Sequence, residues 1–137
     1  MQLNPYLTFN GNCADAFKSY EKTLGGKIVM MMTHAESPAA DQVPANWRDK
    51  IIHARMTVGD EVLMGSDAPP DRFVPMKGIC VSLSVDAPAD AERIFSALAA
   101  NGSVQMPLQR TFLASRFGML IDRFGTPWMI NCEGAGQ

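Results

Sequence analysis

The groups able to do chemistry in this chain are few: two histidines, three cysteines and scattered carboxylates. His53 and Arg55 stand two apart in "KIIHARMTV". Read as a strand, the segment puts Ile52, Ala54, Met56 and Val58 on one face and Ile51, His53, Arg55 and Thr57 on the other. An imidazole beside a guanidinium can hold an anion or a carbonyl oxygen. A structural histidine bonded to backbone or to an acidic neighbour fits the pattern equally. In "KGICVSLSVD", Cys80, Ser82 and Ser84 share a small, polar face opposite Ile79, Val81, Leu83 and Val85. No base lies near Cys80, so it reads as a small hydrophobe and not as a nucleophile. His34 and Glu36 in "THAES" could pair, but beside a Pro-rich loop they read as a solvated strand end. Asp67 in "GSDAP" and Asp122 in "DRFGTP" read as turn residues bonded to local backbone.

These residues need elements to position them, and the chain supplies one order of elements twice. "PYLTFNG" is a strand and turn. "NCADAFKSYEKTLGG" is a helix capped by Asn12, with Ala16, Phe17, Tyr20 and Leu24 on one face and Gly25-Gly26 as its stop. "KIVMMMTH" is a strand, "ESPAADQVPANW" a loop, and "KIIHARMTVGDEVLMGSD" a hairpin around Gly59-Asp60. "APPDRFVP" links to the second half. There, "KGICVSLSVD" is a strand and "APADAERIFSALAANG" a helix capped by Asp86, with Pro88 in its first turn. Ala91, Ile94, Phe95 and Leu98 form its apolar face. "SVQMPLQRTFL" is a strand that Pro107 confines to an edge or a bend. "SRFGMLIDRFGTPWMINCE" closes the chain as a hairpin. Gly125 takes a positive φ in its turn, Trp128 and Ile130 face the core, and Met129 and Asn131 share the other face. Ala14-Asp15-Ala16 overlays Ala89-Asp90-Ala91, and Gly26-x-Ile28 overlays Gly102-x-Val104. The reading is a duplicated βαβββ unit in modules of about 1–68 and 77–135.

The chain has 137 residues, 47 % hydrophobic and 19 % charged, with formal net charge -2. That suits one ordinary domain with a real core. Scattered Lys and Arg argue against nucleic acid and anionic membranes as partners. No apolar run approaches a membrane span, and the N-terminus lacks a signal-peptide pattern. Cys13, Cys80 and Cys132 form no Cys-x-x-Cys motif, which suits a reducing, cytoplasmic setting. The ten methionines read as soft core filler.

A duplicated βαβββ unit carrying "PYLTFNGNCADAFKSYEKTLGG", "IIHARM" with "VLMGSDAP", and "DRFGTPWMIN" resembles the vicinal oxygen chelate superfamily of glyoxalase I, bleomycin-resistance proteins and extradiol dioxygenases. Within it, the chain is most similar to the PhnB-like, or demethylubiquinone methyltransferase-like, family. The resemblance implies an α+β fold in which two modules form a curved mixed β-sheet cup, often within a homodimer. It places the superfamily's four metal-ligand positions near Pro5, Met64, Cys80 and Met129, where only Cys80 binds metal well. This chain departs from the family at one visible place: the family usually has a Trp after "TF", where this chain has Leu113. A Gly-rich loop for a methyl donor with an adenosine moiety is missing from both strand-to-helix turns, "FNGNCAD" and "SVDAPAD". The resulting expectation is a small-molecule-binding protein with no metal and no cofactor. Its cup is lined by His53, Arg55, Met64, Cys80, Ser82, Met129 and Asn131 and takes a partly apolar organic molecule. The alternatives are a metal-dependent lyase or dioxygenase of the same superfamily, and a dimeric scaffold with a vestigial cavity.

Overall fold

Strand pairing follows one plan twice. The computed structural model describes residues 1–112 and 114–133. One unit is Met1–Pro75, and a second begins at Met76. The first contains β1 (Tyr6–Phe9), α1 (Cys13–Leu24), β2 (Lys27–Thr33), β3 (Ile51–Val58) and β4 (Glu61–Asp67). The second contains β5 (Val81–Val85), α2 (Pro88–Ala99), β6 (Ser103–Gln109), β7 (Arg116–Ile121) and β8 (Pro127–Cys132). The four-stranded sheets have the orders β1-β4-β3-β2 and β5-β8-β7-β6. In each, the first strand runs parallel to the last and the other pairs are antiparallel. The class is α+β, and neither sheet closes on itself.

Each helix covers one face of its own sheet. Cys13, Ala16, Phe17, Tyr20 and Thr23 are the buried residues of α1. Below them, Gly65 leaves room for an aromatic ring: a Cβ there would lie 2.8 Å from Phe17 Cε1. In the second unit a Cβ on Gly118 would lie 2.7 Å from Phe95 Cε2. The α2 face is Ala91, Ile94, Phe95 and Leu98, as its spacing predicts. On α1, the last buried position is Thr23 and not Leu24, which is half-buried. Trp128 and Ile130 of β8 are almost completely buried, each removing apolar area worth about 1.5–3 kcal/mol.

Two predicted helix caps are replaced. Asn12 makes no side-chain capping bond. Asp67 does that work from the end of β4, its Oδ1 accepting from the backbone N–H of Gly11 and of Cys13, both at 2.9 Å. Its Oδ2 accepts from Ile51 N–H at 2.9 Å. Asp67 is therefore a buried tie between three segments and not a local turn residue. The second helix begins one residue later than predicted: Ala87 is the N-cap, without a side-chain bond, and Pro88 opens the helix. Gly25 takes the left-handed conformation at the end of α1, and Gly125 has φ 96 in the β7–β8 turn.

Three face assignments also change. Ile79 lies ahead of β5 and is 69 % exposed, so it does not pack under a helix. Ile51 is buried while Ile52 is only half-buried. The reason is a register shift opposite, between Met32 and Thr33, which breaks the alternation at the start of β3. Of the methionines, only Met56 belongs to the core among the described residues. The others are half-buried or exposed, so methionine is chiefly a surface and open-face residue here. Pro107 lies in β6, an edge strand with two register shifts, as its missing N–H predicts. Leu113, and the end of the 77–135 module, lie outside the described residues.

Candidate functional site

The face of each sheet turned away from its helix holds most of the residues predicted to line a site. In the first unit, Met30, Arg55, Met64 and Tyr6 are successive partners across β2, β3, β4 and β1. The corresponding row of the second unit, across β6, β7, β8 and β5, is Met106, Met119, Met129 and Ser82. Both rows offer thioethers. The first replaces one methionine by a guanidinium and the serine by a phenol.

Arg55 is half-buried, and its Nη1 lies 3.9 Å from Met64 Sδ. Among the described residues no carboxylate forms an ion pair with it; the ion-paired arginines are Arg48, Arg93 and Arg116. One position along β3, on the same face, is His53, whose partner on β2 is Met32. Tyr6 reaches across β4 to it. The phenol oxygen and His53 Nδ1 share a hydrogen bond of 3.1 Å, and the rings stack with centroids 5.8 Å apart and an interplanar angle of 23°. That bond holds the imidazole in place and leaves Nε2 directed elsewhere.

Of the residues predicted to line a site, the structure brings His53, Arg55 and Met64 together on the first sheet. Ser82, Met129 and Asn131 share a face of the second, with Ser82 opposite Met129 and Ser84 opposite Asn131. Cys80 is half-exposed and stands just ahead of β5, outside the strand. Tyr6, Met30 and Met119 were not singled out by the spacing. The only signal for Tyr6 was its place in "PYLTF", because its nearness to His53 depends on the parallel pairing of β1 with β4.

His34 and Glu36 do not pair. Glu36 accepts from Thr33 N–H and Thr33 Oγ1, and these bonds hold its carboxyl below the ordinary value. His34 is buried and not solvated, and neither ring nitrogen has a hydrogen bond among the described residues. Burial, reinforced by the Asp67 carboxylate, pushes the Cys13 thiol far above its usual range, so it is inert as a nucleophile.

The resemblance implies a divalent metal, and the residues do not fit one. Among the described residues no three His, Cys, Asp or Glu side chains come together. Of the positions the resemblance implies, Pro5 and Cys80 lie just ahead of β1 and β5, one thiol alone makes no site, and the strand-paired positions carry Tyr6 with Met64 and Ser82 with Met129. Phenol, thioether and hydroxyl make a poor donor set for zinc, nickel, iron or magnesium.

A family model described as 3-demethylubiquinone-9 3-methyltransferase matches residues 1–131. The chain belongs to this family. Protein PA1353 from Pseudomonas aeruginosa is 52% identical, superposes with TM-score 0.90, and covers 98% of both chains. Protein YjdN of Escherichia coli strain K12 is 37% identical over 96% of this chain and 95% of its own length. A putative 3-demethylubiquinone-9 3-methyltransferase, PhnB protein, from Bacillus cereus shares the fold at 20% identity, with TM-score 0.81 over 96% of this chain and 99% of that one. The likeness of fold extends to a glyoxylase/bleomycin resistance protein/dioxygenase domain from Frankia sp., with TM-score 0.67 at 12% identity over 97% of each chain. The fold is thus shared with a glyoxylase/bleomycin resistance protein/dioxygenase domain.

Proposed function

We propose that this protein binds a small organic molecule on the open faces of its sheets and does so without a metal ion. The observation that carries the reading is the pair of equivalent rows: Met30, Arg55, Met64, Tyr6 and Met106, Met119, Met129, Ser82. Methionine side chains adapt to ligand shape, and a few polar groups set orientation. The chelating positions implied by the fold hold side chains that anchor organic groups better than cations.

The family description names a methyl transfer, and the superfamily includes metal-dependent lyases and dioxygenases. Neither reaction is proposed. The strand-to-helix turns at Asn10-Gly11-Asn12 and Asp86-Ala87 lack a Gly-rich pattern for a nucleotide-bearing methyl donor. The donor set described above favours no Lewis acid. A homodimer in the cytoplasm completes the proposal; the three free cysteines accord with a reducing compartment.

Elemental analysis of the purified protein, joined to a thermal-shift screen across metabolites and glycopeptide drugs, tests this reading. A ligand at about 100 Kd should stabilise by roughly 2.7 kcal/mol. Stoichiometric zinc, nickel, manganese or iron would end the metal-free proposal. A flat screen would favour a scaffold role.

A further inference from the structure

Resting on that reading, we infer that the first unit recognises the carboxylate of a monoanionic organic acid, with Arg55 as the ion-pairing group and His53 and Tyr6 beside it. Arg55 carries a charge the fold does not require. Arg55 occupies the same row position as Met119 of the second unit, so a neutral thioether satisfies this place in the sheet. Arg55 is nevertheless a guanidinium, a cation with a planar fork of donors. It is half-buried, its strand partners on both sides are methionines, and among the described residues its side-chain hydrogen bond goes to a weak acceptor, Met64 Sδ at 3.9 Å. A partly dehydrated cation without an anion is costly unless something else supplies the anion.

The neighbours decide the kind of anion. Arg presents a planar fork that matches a carboxylate through two parallel N–H···O bonds. The His53 ring is fixed through Nδ1 by Tyr6 at 3.1 Å, which leaves Nε2 for a further polar atom. Arg55 is the fixed positive charge that stands beside the histidine and the phenol, and one guanidinium balances one negative charge better than two. Met30, Met32 and Met64 on the same face suit an apolar body. The class is therefore an apolar organic acid held at its carboxylate.

The chain has two histidines, which makes the test direct. His34 is buried and His53 lies on the open face, so the ring signals of the two residues in 1H–13C spectra distinguish binding at the site from general effects. The probes are phenylacetate, its neutral isostere phenylacetamide, and benzylphosphonate. Phenylacetate is expected to shift the His53 ring signals in a saturable way while those of His34 stay in place. Phenylacetamide should bind at least about tenfold more weakly, and Arg55→Gln should weaken phenylacetate by roughly tenfold to a hundredfold, the range of a charge-assisted hydrogen bond. Tyr6→Phe should lower affinity less, because it releases the ring without removing the charge. Folding of each variant is checked by its unchanged His34 signals. Equal binding of acid and amide, or full affinity in Arg55→Gln, overturns carboxylate recognition while leaving the ligand-binding reading intact. Tighter binding of benzylphosphonate than of phenylacetate overturns the monoanion assignment. A silent His53 with all three probes overturns the inference outright, whereas the broader reading fails separately, on metal content or a flat ligand screen.

Discussion

The indole of Trp128 donates a hydrogen bond from Nε1 to Oδ2 of Asp122 at 2.8 Å, joining the β7–β8 turn to the buried core. Asp122 Oδ1 meanwhile accepts from the backbone N–H groups of Phe124 and Thr126, each at 2.9 Å. One buried carboxylate thus builds the turn and orients the largest core side chain. Trp128→Phe should cost about 1 to 3 kcal/mol by stranding an acceptor. Combined with Asp122→Ala, the losses should fall short of additive by about 0.5 to 3 kcal/mol. Urea unfolding of the four proteins measures this, and strict additivity would show that the contact has no energetic consequence.

Asp67 is the corresponding tie of the first unit, with three backbone donors on one carboxylate. Asn at this position keeps the shape but turns one acceptor into a donor facing an N–H. Asp67→Asn is expected to lose about 1 to 3 kcal/mol, and Asp67→Ala more. Unfolding midpoints that match the parent would refute the assignment of Asp67 as the cap of α1.

The two faces of the second sheet should respond differently to truncation. Ile130 is 0 % exposed, and Ile130→Ala should cost about 2 to 5 kcal/mol through the cavity it leaves. Leu83 sits on the same face but in an edge strand and is only half-buried, so Leu83→Ala should cost less. Ser82→Ala, on the open face, should stay within about 0.5 kcal/mol. A reversed order would mean that the inner and outer faces have been exchanged.

Cys13 predicts a pH dependence. Its folded pKa is raised, first by burial and then by Asp67. The folded state therefore keeps a proton that the unfolded state releases above the ordinary thiol pKa of about 8.5. A raised pKa contributes stability that is complete below that value and declines as pH rises beyond it. In denaturation series from neutral to alkaline pH, the parent should lose stability more steeply than Cys13→Ala. Parallel curves would mean that the thiol does not titrate with unfolding.

Much was legible from neighbours in the chain. The alternation of "HARMT" and "PWMINC", the apolar face of α2, the Gly59 and Gly125 turns and the edge position of Pro107 all follow from spacing and stereochemistry within a few residues. The repeated order of elements pointed to the duplicated fold. Local periodicity carries this information because adjacent side chains take their directions from the backbone they share.

What tertiary structure decided lies in contacts between residues far apart in sequence. Only the parallel pairing of β1 with β4 brings Tyr6 to His53. Only the convergence of three segments turns Asp67 from a turn residue into a cap, and His34, which local sequence reads as solvated, is buried. The register shift opposite Ile51 and the placement of methionines on open faces belong to the same class. Residue types state which groups are available. Which of them meet depends on which strands become neighbours, and long-range burial and hydrogen bonding determine that.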